Sequence, residues 1–290
     1  MTKLLLARRI NQSRIRQPRV GLPLAVLSVL ILGCSVSSGK KHYVLAEKLW
    51  SDAKYAAAVT EFEKVVAKDP HGKLGMQALL RAASTQSFFL ANYGDALKKY
   101  RVFIDANPGT DQTWDVKKQV GEILFTKTDQ YEQAIQHYRK MLLERPESPE
   151  APELLFRIGK SQFYLWQFAD AVETYQGLIQ KFPTSPWAEK ASFETGVTHF
   201  TKGEQHPEGK GPGMEAYREA IQAYETFLKT FPKSQLVPEA KFGIANCFEE
   251  LDQLDAAFRA YEQLKQTYPS RNVIEIKLAR IRERKAQRSR

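Results

Sequence analysis

The sequence predicts an all-α protein, a right-handed α-solenoid of about six helix pairs followed by a C-terminal helix. A sixteen-residue pattern of an aromatic residue or Leu, then Ala, a second aromatic residue and Pro occurs six times. Its apolar positions are three and four residues apart, which is the spacing of one face of an α-helix. Successive prolines of the pattern are 38, 38, 37, 49 and 37 residues apart, the near-constant period of a helical repeat.

Each copy of the pattern is interpreted as the second helix, helix B, of one repeat. The six copies are Tyr55/Ala58/Phe62/Pro70, Tyr93/Ala96/Tyr100/Pro108, Tyr131/Ala134/Tyr138/Pro146, Phe168/Ala171/Tyr175/Pro183, Tyr217/Ala220/Tyr224/Pro232 and Leu254/Ala257/Tyr261/Pro269. The small Ala lets another helix approach closely, and Pro ends the helix because it has no amide hydrogen to donate. An amphipathic helix A precedes each copy. Because two helices cannot bury their apolar faces alone, the six repeats are predicted to stack.

The first thirty-three residues are predicted to be a secretory signal. Residues 1–33 hold six bases and no acid, and they end in an apolar run from Gly21 to Gly33. A basic segment followed by an apolar segment of this length is typical of signal peptides. Residues 34–41, which are rich in Ser, are then expected to form a flexible tether. The alternative is an uncleaved membrane anchor, since residues 20–39 contain no charge.

The segment Ile31-Leu32-Gly33-Cys34 resembles the bacterial lipobox. This resemblance implies that Cys34 is lipidated and becomes the first residue of the mature chain. Lipoproteins that are retained in the inner membrane carry Asp directly after the lipidated cysteine, and this chain has Ser35 at that position. The expected location is therefore the outer membrane, with the chain anchored through Cys34 and facing the periplasm.

The formal net charge of +10 is concentrated at the two ends of the chain. Residues 34–270 hold 29 bases and 31 acids, and the two signs alternate along the sequence. Proteins that bind nucleic acid cluster Lys and Arg on one face. The body of the chain is therefore not expected to bind nucleic acid.

Residues 42–270 are predicted to form the solenoid, and the fifth repeat holds about twelve extra residues. We place them in a loop at 203–213, because its glycines and prolines disfavour a helix. Residues 271–290 are predicted to be a basic capping helix and tail, with Val273, Ile276 and Ile281 at helical spacing. The basic tail is expected to be a solvated end, and contact with anionic lipid or a partner is the alternative.

The pattern resembles the tetratricopeptide repeat, with Ile158-Gly159 as its Leu-Gly pair and the family's Ala and Pro in all six copies. HEAT and armadillo repeats are the alternative and lack this pattern. The period is longer than the thirty-four residues of the tetratricopeptide repeat, and the excess lies in the linkers at 183–188 and 232–238. These linkers are similar to those of bacterial envelope lipoproteins.

A lipobox before such repeats resembles BamD, the lipoprotein of the β-barrel assembly machinery, although BamD has five repeats. The Tol-Pal-associated periplasmic coordinator is the second candidate, and an accessory subunit of an export or polysaccharide system is the third.

The tetratricopeptide resemblance implies a groove lined by the A helices that binds peptides or partner helices. The family's groove positions in the second and fourth repeats are Ala78, Arg81, Thr85, Phe88 and Phe89, and Glu153, Phe156, Lys160, Phe163 and Tyr164. Aromatic residues with Arg and Lys are typical of binding hot spots. The alternative is that some of these aromatic residues pack between repeats. The expected partners are envelope proteins, including components that assemble β-barrels.

No motif for a nucleophile, a phosphate-binding loop or a paired-cysteine metal site occurs in the sequence. We therefore expect no enzymatic activity, no cofactor, no metal and no small-molecule substrate. His199, Glu204, His206 and Glu208 are the nearest approach to a metal cluster, and we interpret them as an ordinary polar loop. Cys247 lies in a helical apolar stretch and is expected to be a buried, unreactive thiol.

Overall fold

A computed structural model describes residues 39–205 and 211–288. The predicted signal peptide, Cys34 and the centre of the predicted 203–213 loop lie outside the described residues. In the described part of the chain the ordered elements are helices, and no strand occurs. The prediction of an all-α fold built from consecutive helix pairs is confirmed.

The helices alternate between A and B helices of the six repeats, and α13 follows the last pair. Their bounds are α1 (39–51), α2 (Tyr55–Lys68), α3 (Lys73–Phe88), α4 (Tyr93–Ala106), α5 (Asp111–Glu122), α6 (Tyr131–Glu144), α7 (Ala151–Tyr164), α8 (Phe168–Lys181), α9 (Pro186–Glu204), α10 (Pro212–Thr230), α11 (Val237–Glu250), α12 (Leu254–Leu264) and α13 (Arg271–Arg288). A π-helical turn, Ile123–Lys127, continues α5. Residues 39–41, which the sequence placed in the tether, are already helical.

The chain divides into two compact units, with the boundary between Lys99 and Tyr100 inside α4. The sequence predicted one continuous body over 42–270. In the N-terminal unit α2 packs against α3 around Ala58, Phe62 and Ala82, which are fully buried. In the C-terminal unit each helix from α6 to α13 packs against the next. The core of both units is thus a series of helix-to-helix contacts between sequence neighbours.

The Ala and aromatic positions of the repeat pattern form the core. Ala171, Tyr175 and Leu178 of α8 are fully buried against α9. Tyr175 also lies against the backbone of α7, where a Cβ atom on Gly159 would be 2.4 Å from Tyr175 Cε1. The absence of a side chain at Gly159 in helix A therefore leaves the space that the Tyr175 ring of helix B occupies.

The turn between helix A and helix B contains a residue with a left-handed backbone. These residues are Ala53, Ala91, Asp129, Trp166 and Asp252, with φ between 50° and 62°. In the fourth repeat Gln167 N donates to Gln162 O, five residues back, at 2.9 Å. In the third repeat the equivalent bond, from Gln130 N to Leu124 O at 2.8 Å, spans six residues. The π turn accommodates this extra residue, so part of the variation in repeat length lies here and not in the linkers.

The predicted loop at 203–213 is shorter in the structure. Helix α9 continues to Glu204, and α10 already begins at Pro212. Gly203 is buried, and a Cβ atom there would be 2.6 Å from Tyr217 Cε1. Glycine is needed for this close helix contact, so it does not mark a loop. Proline is compatible with the first turn of a helix, because an amide hydrogen there has no partner within the helix.

Helix α13 buries Ile281, as the predicted apolar spacing requires, but the predicted positions Val273 and Ile276 are exposed. Ile274, Leu278 and Ile281 are fully or almost fully buried against α12, whereas Val273 and Ile276 are 37% and 61% exposed. The buried residues are four and three positions apart, so both stripes fit a helical period and only packing selects between them.

The basic tail is not a free solvated end within the described residues. Arg280 pairs with Glu249, Arg288 pairs with Asp252, and Lys285 pairs with Asp255. Glu249 lies in α11, Asp252 in the turn that follows it, and Asp255 at the start of α12. The expectation of a solvated basic end is therefore wrong for these three side chains, which form ion pairs within the chain.

The described helices include none that is both long and apolar enough to cross a membrane. Residues 39–205 and 211–288 also contain no group of three His, Cys, Asp or Glu side chains placed to hold a metal ion. His199 instead pairs with Glu219 at 3.0 Å.

Candidate functional site

The predicted groove residues lie on α3 in the N-terminal unit and on α7 in the C-terminal unit. The two helices are therefore considered separately. On α3, Ala78 and Thr85 are only 0% and 1% exposed, so they cannot contact a partner. Phe88 and Phe89, at the end of the helix, are 67% and 46% exposed. The accessible part of the predicted surface is thus the C-terminal end of α3.

On α7, charged side chains link three successive A helices. Arg157 pairs with Glu122 of α5 at 2.9 Å and with Glu153 at 2.8 Å. Lys160 pairs with Glu194 of α9 at 3.1 Å. Burial disfavours the charged form of Arg157, but Tyr138 and the two glutamates outweigh it and raise the Arg157 pKa. The guanidinium is therefore a fixed positive charge between two carboxylates.

An aromatic cluster lies beside Arg157. Phe125, Tyr131 and Tyr164 form it, and the rings of Tyr131 and Tyr164 are stacked with centroids 4.8 Å apart. The guanidinium carbon of Arg157 is 5.4 Å from the centre of the Phe125 ring. Burial, together with the hydrogen bond to Asp129, raises the Tyr131 pKa to about 12. Tyr164 is 44% exposed, so a stacked ring faces solvent at this position.

The N-terminal unit contains the same combination of side chains. Arg81 donates to both carboxylate oxygens of Glu47, at 2.8 and 2.7 Å, and its guanidinium carbon lies 4.5 Å from the centre of the Trp50 ring. The rings of Tyr55 and Phe89 are stacked with centroids 4.3 Å apart, and Trp50 contacts Phe89 edge-on at 5.4 Å.

We call each of these combinations an Arg–aromatic cluster. Each is formed by Glu and an aromatic residue of one helix A, the first residue of the following helix B, and Arg and an aromatic residue of the next helix A. The members are Glu47, Trp50, Tyr55, Arg81 and Phe89 in one cluster, and Glu122, Phe125, Tyr131, Arg157 and Tyr164 in the other. In each cluster an aromatic ring that is about half exposed, Phe89 or Tyr164, stacks on the ring of Tyr55 or Tyr131. Partly exposed aromatic residues beside Arg are typical of binding hot spots.

Three of the predicted residues have mainly structural contacts. Phe156 packs on Tyr175 and Trp187, with ring centroids 5.9 and 5.1 Å away. Phe163 contacts Phe168 of the following helix B at 5.9 Å. Lys160 Nζ lies 4.9 Å from the centre of the Phe163 ring. Phe163 and Lys160 also lie against the Tyr164 ring, and Tyr164 is the most exposed aromatic residue among the five α7 candidates.

Seven members of the two clusters were not among the predicted site residues: Glu47, Trp50, Tyr55, Glu122, Phe125, Tyr131 and Arg157. A residue-by-residue alignment of the six repeats would have shown that Glu and an aromatic residue recur in the first and third A helices. This alignment needs a gap of one residue, because Trp50 lies five residues before Tyr55 and Phe125 lies six residues before Tyr131. The extra residue is in the π turn.

Solved structures of helical-repeat proteins share this fold. A tetratricopeptide repeat protein from Parabacteroides merdae is 14% identical with a TM-score of 0.50, and the match covers 87% of this chain and 89% of that chain. The C-terminal part of a repeat protein from Cytophaga hutchinsonii is 16% identical with a TM-score of 0.53, covering 87% and 94%. One chain in the structure of Naa15/Naa10 bound to HypK-THB is 16% identical with a TM-score of 0.62, and the match covers 89% of this chain and 36% of that chain. The fold is that of a helical solenoid of the tetratricopeptide-repeat class.

The family model described as YfiO, outer membrane lipoprotein, matches residues 124–270, just over half of the chain. The chain belongs to this family of outer membrane lipoproteins. Among curated protein sequences no match is found. The family match confirms the predicted resemblance to bacterial tetratricopeptide-repeat lipoproteins such as BamD.

Proposed function

We propose that the protein is a non-enzymatic, lipid-anchored scaffold that binds partner proteins during outer-membrane protein assembly, in a role like that of BamD. The family match is the observation that carries this proposal, since its description names an outer membrane lipoprotein. The chain is anchored through lipidated Cys34 after removal of residues 1–33, and residues 42–270 face the periplasm. The two Arg–aromatic clusters supply the contact surface.

The geometry of the clusters supports protein binding over binding of a small molecule. Tyr164 and Phe89 are rings held by stacking, so a partner would bury them at little cost in conformational entropy. The ion pairs of Arg157 and Arg81 are satisfied within the chain and leave the rings as the unpaired apolar surface. A partner segment with apolar or aromatic side chains fits this surface.

The anchor is tested by the intact mass and membrane fraction of the wild type and of Cys34→Ala in the native host. We expect the wild type to begin at an acylated Cys34 in the outer membrane, and the variant to lose acylation. A chain that retains residues 1–33 in the inner membrane contradicts the anchor and the assembly role together.

The binding surface is tested by placing a photoreactive phenylalanine analogue at Tyr164 and at Phe89. Leu143 on α6 is the control position, because it is 84% exposed and belongs to neither cluster. We expect cross-links from Tyr164 and Phe89, but not from Leu143, to a β-barrel protein or a barrel-assembly component. Cross-links to synthase or export subunits instead would contradict the assembly role and leave the scaffold class intact.

A further inference from the structure

A cavity of about 480 Å³ lies between α4, α5 and α6 in the C-terminal unit. Its floor is apolar and includes Val120, Leu124 and Met141, which are at most 3% exposed. Val120 of α5 and Leu124 of the π turn are four residues apart, and both lie on a different face from Glu122, which belongs to the Arg–aromatic cluster. The cavity is therefore separate from the proposed partner-binding surface.

The polar rim of the cavity has more positive than negative charge. Each of the three helices contributes one cation: Arg101 from α4, Lys117 from α5 and Lys140 from α6. The acids facing them are Asp105 of α4 and Glu144 of α6.

Only one of these cations is neutralised. Lys117 pairs with Glu144, and Arg101 reaches the neutral Gln133 at 3.5 Å. Among the described residues, Arg101 and Lys140 form no ion pair. Two cations thus converge on a cavity that holds one unpaired carboxylate, Asp105.

His137 is placed to report on this excess charge. Its imidazole lines the cavity, and Nε2 lies 2.7 Å from the carbonyl oxygen of Lys117. Burial lowers the His137 pKa, the hydrogen bond to Lys117 opposes this, and the charges of Lys117, Lys140 and Arg101 lower it further. All three cations therefore act on one ring, which locates the positive potential inside the cavity.

We propose that this cavity binds an anionic group, a carboxylate or a phosphate, between Arg101, Lys140 and His137. Arg and Lys donate short, charge-assisted hydrogen bonds to both kinds of anion. The apolar floor excludes water from one side and strengthens these bonds. A group bound here would supply the negative charge that the rim lacks. This site is independent of the function proposed above.

The test follows the His137 pKa by NMR in the full chain in detergent, with isotope-labelled histidine. The buffers contain inorganic phosphate, acetate or chloride at equal ionic strength. Binding of the anion and binding of a proton to His137 affect each other equally. An anion that binds more tightly when His137 is protonated therefore raises the His137 pKa. We expect this rise in phosphate or in acetate, and the anion that causes it identifies the class of ligand. His199 is the internal control, since its side chain is only 16% exposed, pairs with Glu219 and does not line this cavity.

Two variants and one matched control complete the test. Lys140→Gln and Arg101→Gln should each weaken anion binding roughly tenfold, the effect of losing one charge-assisted hydrogen bond. Arg139→Gln removes a neighbouring charge that does not line the cavity and should leave binding unchanged. Circular dichroism checks that each variant is folded. Equal His137 pKa values in all three salts, or equal shifts of His137 and His199, would overturn the proposal.

Discussion

Gly159 of α7 and Tyr175 of α8 are in contact with no space for another atom between them, since a Cβ atom on Gly159 would lie 2.4 Å from Tyr175 Cε1. The same relationship joins Gly121 to Tyr138 and Gly196 to Tyr224 in the neighbouring repeats, at 2.3 and 2.5 Å. The aromatic ring is rigid and fully surrounded. The distance between the two helices of a repeat is therefore set by a backbone that has no side chain at this point.

Replacement of Gly159 by Ala should lower the free energy of unfolding by about 1–3 kcal/mol, because the added methyl group must displace the Tyr175 ring. The matched control is Gly177→Ala in α8, where nothing lies within 4 Å of the added Cβ atom. That change should raise stability by up to about 1 kcal/mol, since Ala is the better helix former. Urea unfolding followed by circular dichroism measures both. Similar effects of the two substitutions would contradict the close contact.

The left-handed residues at the turns between A and B helices predict a stabilising substitution. Ala53 and Ala91 have φ values of 58° and 50°, a conformation that costs a residue with a Cβ atom about 1 kcal/mol and costs glycine little. Ala91→Gly should therefore raise the midpoint of thermal unfolding. Ala57→Gly in the first turn of α2 should lower it. If both substitutions lower the midpoint, the turn is not left-handed in solution.

Glu249 should anchor α13 in a pH-dependent manner. Its side chain is fully buried, and Lys277 and Arg280 of α13 pair with it. Burial raises the Glu249 pKa, but these two cations outweigh burial and leave the pKa lowered. A lowered pKa in the folded state means that the carboxylate stabilises the fold above its ordinary pKa, and that this contribution disappears as the pH falls through the lowered value.

Glu249→Gln should therefore cost about 2 kcal/mol of unfolding free energy at pH 7, and the difference from the wild type should shrink below about pH 4.5. Glu275→Gln on α13 is the control, because its partner Arg271 is 71% exposed. That change should alter stability by less than about 0.5 kcal/mol. Urea unfolding across this pH range checks both. A Glu249→Gln deficit that persists unchanged at low pH would argue against the carboxylate as its cause.

Cys247 should be unreactive while the chain is folded. It is fully buried, and burial raises its pKa to about 12, so the reactive thiolate is scarce at neutral pH. In a Cys34→Ala background Cys247 is the remaining cysteine of the two in the sequence. We expect an aromatic disulfide reagent to modify it only after denaturant is added, with one thiol per chain. Rapid modification of the native chain would show that α11 opens locally.

Much of the fold could be predicted because the repeat pattern encodes local and neighbour contacts. Ala171 and Tyr175 follow from the six-fold pattern, and both are in the core. The candidate site was less predictable. Phe163 and Tyr164 are adjacent in sequence, yet Tyr164 is 44% exposed, whereas Phe163 packs edge-on against the Tyr164 ring. Helical spacing does not decide which of two adjacent aromatic residues meets solvent.

The sequence by itself determined the helix pairs of the repeat pattern and the core positions of its Ala and aromatic residues, because these depend on spacing along one chain. Tertiary structure alone decided which charges meet. Arg157 and Glu122 are 35 residues apart, and Arg280 and Glu249 are 31 apart. Each pair forms only when helices distant in the chain pack side by side. The register of that packing depends on side-chain volume at positions such as Gly159, which no single-sequence periodicity records.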